Sequence, residues 1–176
     1  MRADRPSLTA QLVAGARALY AAFPSELQIA PDPHAEALAP PILALTARAL
    51  SAVPAAAPFV HHAIGAVTLG LTWHVALRTL AIDAAALEGI AAGATQMVLL
   101  GAGLDNRAGR LDERVRTFEV DHPDMQRYKR ARLTAAGLRD DGRVFVPVNF
   151  ETERLDECLA RAGFSRDAVT FWIWEG

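Results

Sequence analysis

Residues 97–105 read Met97-Val98-Leu99-Leu100-Gly101-Ala102-Gly103-Leu104-Asp105, and this stretch decides the fold. Four apolar residues in a row, without polar alternation, are the pattern of a strand buried on both faces, as in a parallel sheet. The run ends at once in Gly101 and Gly103. Glycines suit a tight turn and let a backbone pass close to a ligand with no Cβ in the way. The segment after such a turn can offer free N–H groups to a negative or polar group. Two glycines alone also fit a tight strand-to-helix turn that binds nothing. The dinucleotide fingerprint places a third glycine at position 106; this chain has Asn106, which counts against a nicotinamide cofactor.

The same texture recurs downstream. Thr117-Phe118-Glu119-Val120 reads as a second strand, ended by Asp121-His122-Pro123. Val144-Phe145-Val146-Pro147-Val148 reads as a third, and its proline asks for an edge position or a bulge. Thr170-Phe171-Trp172-Ile173-Trp174 reads as a fourth. Helices are expected over 123–137, ending at Gly137, and over 151–162, closed by Gly163. The order β-α-β-α-β-α-β implies a parallel sheet with right-handed crossovers. Such an open sheet binds its ligand beyond the carboxyl ends of its strands. Here that edge comprises Gly101 to Asp105, Glu119 to His122, Asn149-Phe150 and Glu175-Gly176.

Upstream, residues 1–94 are rich in alanine and leucine and punctuated by proline. They read as a helical N-terminal cap region, with 95–176 as the sheet-bearing half, one domain overall. Ser7 is a good N-cap for a helix over 8–23, where Leu8, Leu12, Val13, Ala16, Leu19, Tyr20 and Phe23 make one apolar stripe. Further helices are expected over 42–53 after Pro40-Pro41, over 58–80, and over 84–92 before Gly93.

Of the 176 residues, 52% are hydrophobic and 22% charged, with net charge −2, which fits a folded domain and asks for neither nucleic acid nor an anionic membrane as partner. The single cysteine, Cys158, leaves no internal disulfide and favours a reducing, cytoplasmic setting. The N-terminus does not read as a secretory signal, and the longest apolar region, 63–73, is too short to span a bilayer. The histidines make no metal-ligand spacing, and neither a nucleophile elbow nor a phosphate-cradling loop is present.

Candidate ligand contacts follow from the edge. Asp121 stands at a spacing from Gly103 that suits the two hydroxyls of a ribose, but it also suits a helix N-cap. Glu119 shares its strand face. Asn149-Phe150 could meet an adenine, or be a loop asparagine and a core phenylalanine. Glu175 could take the ammonium of an amino-acid ligand, or be a solvated chain end. Arg78 and Arg107 are candidates for carboxylate recognition.

Several segments resemble one family in order. Gln96-Met97-Val98-Leu99-Leu100-Gly101-Ala102-Gly103-Leu104-Asp105-Asn106-Arg107 is similar to the QxVxLGAGLDTRxxRL signature of the leucine carboxyl methyltransferase-like family, in its actinobacterial branch. Phe118 to Pro123 resembles FEVDxP, Lys129-Arg130-Ala131-Arg132-Leu133 matches KRARL, Phe145 to Phe150 resembles FVPVDF, and Phe171 to Gly176 resembles FFIWEG. Pro6 to Ala10, Asp32 to Ala35, and Arg78-Thr79 followed by Asp83 fit the family's helical region. The resemblance implies a Rossmann-like α/β methyltransferase sheet, incomplete at about four parallel strands, with a helical N-terminal cap.

It further implies S-adenosyl-L-methionine as cofactor and methyl transfer to a carboxylate or hydroxyl on a small-molecule or peptide acceptor. By the same resemblance Arg78, Gly101, Gly103, Asp121, Asn149, Phe150 and Glu175 contact the cofactor. Asp121 holds the ribose, Asn149 and Phe150 bracket the adenine, Arg78 pairs with the methionine carboxylate, and Arg107 helps place an acidic acceptor. This sequence departs from the pattern at three internal points: aspartate has become Asn149, threonine Asn106, and tyrosine Gly109. Family members also continue beyond WEG. Two other readings stand beside this one, a truncated cofactor-binding fragment without catalytic competence and a nicotinamide-dependent oxidoreductase.

Overall fold

A computed structural model describes residues 7–138 and 142–175. Residues 1–6, 139–141 and 176, on which the reading of the N-terminus and the last residue of the WEG resemblance fall, lie outside the described residues. The chain divides into two compact units, Leu8–Ile82 and the part from Asp83 onward. The division falls inside a helix rather than at residue 94.

The second unit is built on a four-stranded parallel sheet: β1 (Gln96–Leu100), β2 (Arg116–Asp121), β3 (Arg143–Pro147) and β4 (Thr170–Trp174), in the order β3-β2-β1-β4. β1 is central, as its uninterrupted apolar run requires, and β3 is an edge strand, the place its proline tolerates. Gln96 fixes the far side of β1: its Nε2 donates to Thr170 Oγ1 (2.8 Å) and to the Ser165 carbonyl (2.5 Å). Val98, Phe118, Val120, Val146, Cys158 and Leu159 form the core on one face. Helix α6 (Pro123–Ala135) covers the other face through Met125, Lys129 and Leu133, and α7 (Leu155–Arg161) supplies Cys158 and Leu159 to the first. Consecutive helices on opposite faces are what right-handed crossovers require when the strand order reverses around β1.

Two expectations for this unit change. No α-helix joins β1 to β2; the connection holds one 3-10 turn, Arg107–Gly109. Asp105 Oδ1 accepts the Arg107 N–H (2.7 Å) and Asp112 Oδ1 accepts the Arg114 N–H (2.9 Å), side-chain turns that compete with helical bonding. The helix expected from residue 151 starts at Leu155. The Asn149 carbonyl accepts from Thr152 and Glu153, its Oδ1 accepts from Glu151 (3.1 Å), and Arg154 is extended, so the chain turns before it coils.

The first unit holds α1 (Leu8–Ala21), α2 (Ala35–Leu38), α3 (Pro41–Ser51) and α4 (Ala57–Val67), and α5 (Leu71–Ala91) begins in it. The buried side of α1 is its small-residue run from Ala14 to Ala18 together with Tyr20; Leu8, from the expected stripe, is 71% exposed. Small residues let helices approach closely: a Cβ at Gly15 would collide with Leu43. Tyr20, Phe23, Leu50, Ala57 and Ala76 make one core cluster. The expected helix over 58–80 is two helices, because Leu69 (φ 51°) and Gly70 (φ 79°) close α4, with Gly70 N–H bonded back to the Gly65 carbonyl (2.8 Å). The expected break near residue 82 is absent, since Ala81-Ile82-Asp83-Ala84 contains nothing to interrupt a helix, and α5 runs on to Ala91 before Gly93 (φ 106°) ends it. Among the described residues no single helix is long and apolar enough to cross a membrane.

Candidate functional site

The sheet's chain order reverses between β1 and β4, and a crevice outside the carboxyl ends of the strands belongs at that point. β1 delivers Gly101 there. Its φ of 64° is left-handed, and a Cβ built on it would meet no heavy atom within 4 Å, so the backbone bends beside open space. Gly103 (φ 48°) follows. Its N–H donates to Asp121 Oδ2 (2.5 Å), from the end of the neighbouring β2, while Asp121 Oδ1 accepts the His122 N–H (2.6 Å). The cap of α6 is His122, whose Nδ1 accepts from the Asp124 N–H (3.3 Å). Asp121 is thereby free of the capping role, and its half-buried carboxylate faces the glycine turn.

Beneath the turn lies a buried ionic cluster. The Arg107 side chain is 0% exposed; its Nε donates to Asp83 Oδ1 (2.6 Å), and its Nη1 donates to Asp105 Oδ2 and to Glu175 Oε2 (2.7 Å). Burial pushes the guanidinium down, but the carboxylates of Asp105, Glu175 and Asp83 outweigh it and hold Arg107 above the ordinary arginine value. Its Nη2 is buried with no hydrogen-bond partner, an orphan donor that an acceptor atom would satisfy. Arg110 Nη1 pairs with the other Asp83 oxygen (2.5 Å). Arg107 was expected at an acceptor; the structure buries its side chain among the carboxylates of Asp83, Asp105 and Glu175.

A second buried set continues under α6. Glu119 pairs with Lys129 Nζ (2.6 Å) and Arg143 Nε (2.9 Å), all three nearly inaccessible. Lys129 Nζ also donates to the Asp105 carbonyl, Arg143 Nη2 donates to Asn106 Oδ1 (2.8 Å), and Gln126 Nε2 donates to the Glu119 carbonyl (2.7 Å). Charged groups persist in such a place only when paired. Asp105, Lys129 and Arg143 hold the glycine turn from below, a role the sequence reading did not give them. The signal was there in a charge within β2, Glu119, and another at the start of β3, Arg143, both in otherwise largely apolar strands.

Asn149 and Phe150 follow β3. The Asn149 side chain closes a turn on Glu151, and Phe150 is 58% exposed at the sheet edge. An exposed phenylalanine is a ready apolar surface for a flat ring. Glu175 follows β4, half-buried on Arg107. Gly101, Gly103, Asp121, Asn149, Phe150 and Glu175 therefore all stand on the carboxyl edge of one sheet. Arg78 lies on α5 in the helical unit.

The edge offers a backbone cradle, two carboxylates and an exposed ring, which suits a ligand with hydroxyls, an aromatic base and a cation. Known proteins bear on that chemistry. A relative from Mycobacterium sp. (strain JLS) is 36% identical over 138 residues, 77% of this chain and 49% of its own length. One from Parafrankia sp. (strain EAN1pec) is 37% identical over 143 residues, 79% of this chain and 44% of its own. One from Saccharopolyspora erythraea is 36% identical over 115 residues, 61% and 40% respectively. All three carry provisional S-adenosyl-L-methionine-dependent methyltransferase names, and the chain spans about half the length of the curated relatives it matches. Residues 10–176 match the family described as leucine carboxyl methyltransferase, and the chain belongs to that family.

Proposed function

We propose that this chain binds S-adenosyl-L-methionine along the carboxyl edge of its sheet and forms the cofactor half of a methyltransferase. The observation that carries the reading is the Asp121 carboxylate, relieved of helix capping and turned to the Gly103 N–H across an open glycine cradle. Asp121 accepts the ribose hydroxyls, Phe150 packs on the adenine with Asn149 at its edge, and Glu175 takes the ligand ammonium. The methionine carboxylate is assigned to Arg78 on sequence grounds alone.

Bound S-adenosyl-L-methionine supplies a methyl group already activated on a sulfonium. The residues of this chain then contribute binding, orientation and exclusion of water. The acceptor is proposed to be an oxygen nucleophile, a carboxylate or hydroxyl on a small molecule or peptide. A carboxylate acceptor is ionised at neutral pH and needs no general base. A second reading, a cofactor-binding fragment without turnover, is favoured by one fact: the chain spans about half the length of its relatives.

Calorimetric titration of the 176-residue chain with S-adenosylhomocysteine tests the proposal. The expected dissociation constant is micromolar, about −8 kcal/mol. Silence from both the parent chain and Asn149→Asp would sink it. Recovery in Asn149→Asp alone would place the defect in that one residue. Methyl transfer by a full-length relative but not by this chain would favour the fragment reading.

A further inference from the structure

We infer that Arg107 is a positioning residue, which fixes Glu175 at the reversal crevice so that its carboxylate meets the cationic amino-acid end of the ligand. The inference rests on the S-adenosyl-L-methionine reading and assigns Arg107 a task different from contact with a methyl acceptor. Three elements converge on one guanidinium. Asp83 comes from α5, Asp105 from the turn after β1, and Glu175 from the residue after β4. β1 and β4 are neighbours in the sheet, yet beyond Leu100 and Trp174 their chains leave the hydrogen-bonded ladder. Arg107 bridges them past that point, 68 residues apart in sequence.

The bridge has a rigid base. Asp105 accepts both the Arg107 side chain and the Arg107 backbone N–H (2.7 Å), and its carbonyl receives Lys129 Nζ. The Nε edge of the fork is held by Asp83, itself gripped by Arg110. With two sides of a planar fork fixed, the Nη1 that reaches Glu175 has a defined direction. A lysine carries the same charge but is a point donor on a flexible stem. It cannot reproduce the fixed directions in which Nε and Nη1 reach Asp83 and Glu175. A role of charge alone is therefore separable from a role of geometry.

The ligand also divides into two halves. S-adenosylhomocysteine carries the nucleoside and the amino acid; 5′-methylthioadenosine carries the nucleoside and the thioether without the amino acid. A residue acting through Glu175 affects the first ligand and spares the second. Damage to the turn or the sheet weakens both alike.

The experiment is titration of both ligands into the parent chain, Arg107→Lys, Glu175→Gln and Asp83→Asn, with circular dichroism to establish folding. Loss of one charge-assisted contact corresponds to about tenfold or more in affinity. Each variant is expected to lose that much for S-adenosylhomocysteine and to bind 5′-methylthioadenosine as the parent does. Asp83→Asn decides the matter if Arg107→Lys fails to fold, because Asp83 is assigned no ligand contact and acts only by holding the fork. Equal weakening of both ligands in the folded variants overturns the inference, as does full S-adenosylhomocysteine affinity in Arg107→Lys. A parent chain that binds both ligands equally well overturns it while leaving the nucleoside site intact. A parent chain that binds neither, with Asn149→Asp equally silent, overturns the cofactor reading itself.

Discussion

At the scale of single residues, two departures from the family pattern explain each other. Asn106 stands where threonine is expected and Gly109 where tyrosine is expected. Asn106 Oδ1 accepts from Arg143 Nη2, and a Cβ at Gly109 would lie 2.9 Å from that Nη2 and 3.2 Å from Asn106 Oδ1. The longer side chain at 106, together with the Arg143 Nη2 it holds, occupies the space that a side chain at 109 would need. Gly109→Ala is expected to destabilise the chain, and the same change in an Asn106→Ser background to cost less. A double-mutant cycle by urea denaturation should give a coupling of about 0.5–3 kcal/mol; strict additivity would show that the two sites are independent. Local chemistry of this kind was half legible in the sequence. The turn glycines and Asp121 were visible because an apolar strand pointed at them. The capping alternative for Asp121 stayed open because spacing does not say which of two adjacent residues bonds the helix N-terminus. The structure gives that task to His122.

At the scale of elements, β2 is an apolar strand with a carboxylate in its middle. Glu119 is held by Lys129 from α6 and Arg143 from β3, so one residue ties three elements together. Glu119→Gln keeps an acceptor for Arg143 but leaves the Lys129 ammonium buried without a counter-charge, which costs about 3–5 kcal/mol. That is a large part of the roughly 5–15 kcal/mol typical of a whole domain. The expected result is a urea midpoint lowered severely or a chain unfolded at room temperature. A midpoint near the parent's would show that water reaches Lys129. The four strands were legible because period and composition agree in them. The helices were less so. The link after β1 is a polar loop because aspartate side chains capture backbone N–H groups there, and α4 and α5 separate at a leucine and a glycine in the left-handed region. Hydrophobic spacing carries no trace of either event. The stripe expected of the first helix is buried at Ala16, Tyr20 and Phe23 but exposed at Leu8 and Leu12, and Ala14, Gly15 and Ala18 join the buried side: alanine and glycine score low in any apolar stripe, yet they are what permits close helix packing.

At the scale of the whole molecule, β4 presents an unpaired sheet edge among the described residues. Trp172 and Trp174 point to the same face of it; Trp174 is 84% exposed, and Trp172 meets the Phe164 ring at 5.7 Å. An apolar edge of this kind invites association. The chain is expected to scatter light increasingly with concentration, and Trp174→Lys to suppress that scattering; a concentration-independent monomer in the parent chain would count against it. The same arrangement fixes an order of events during synthesis. β1 leaves the ribosome early and finds β2 within the next segment, but Gln96 must wait for Thr170, 74 residues later, before its second neighbour exists. Closing so long a loop is entropically slow, so the central strand keeps one side open while those residues are made. Glu175 joins Arg107 later still. A nascent chain therefore makes the Gly103–Asp121 contact well before the Arg107–Glu175 contact that ties β1 to β4.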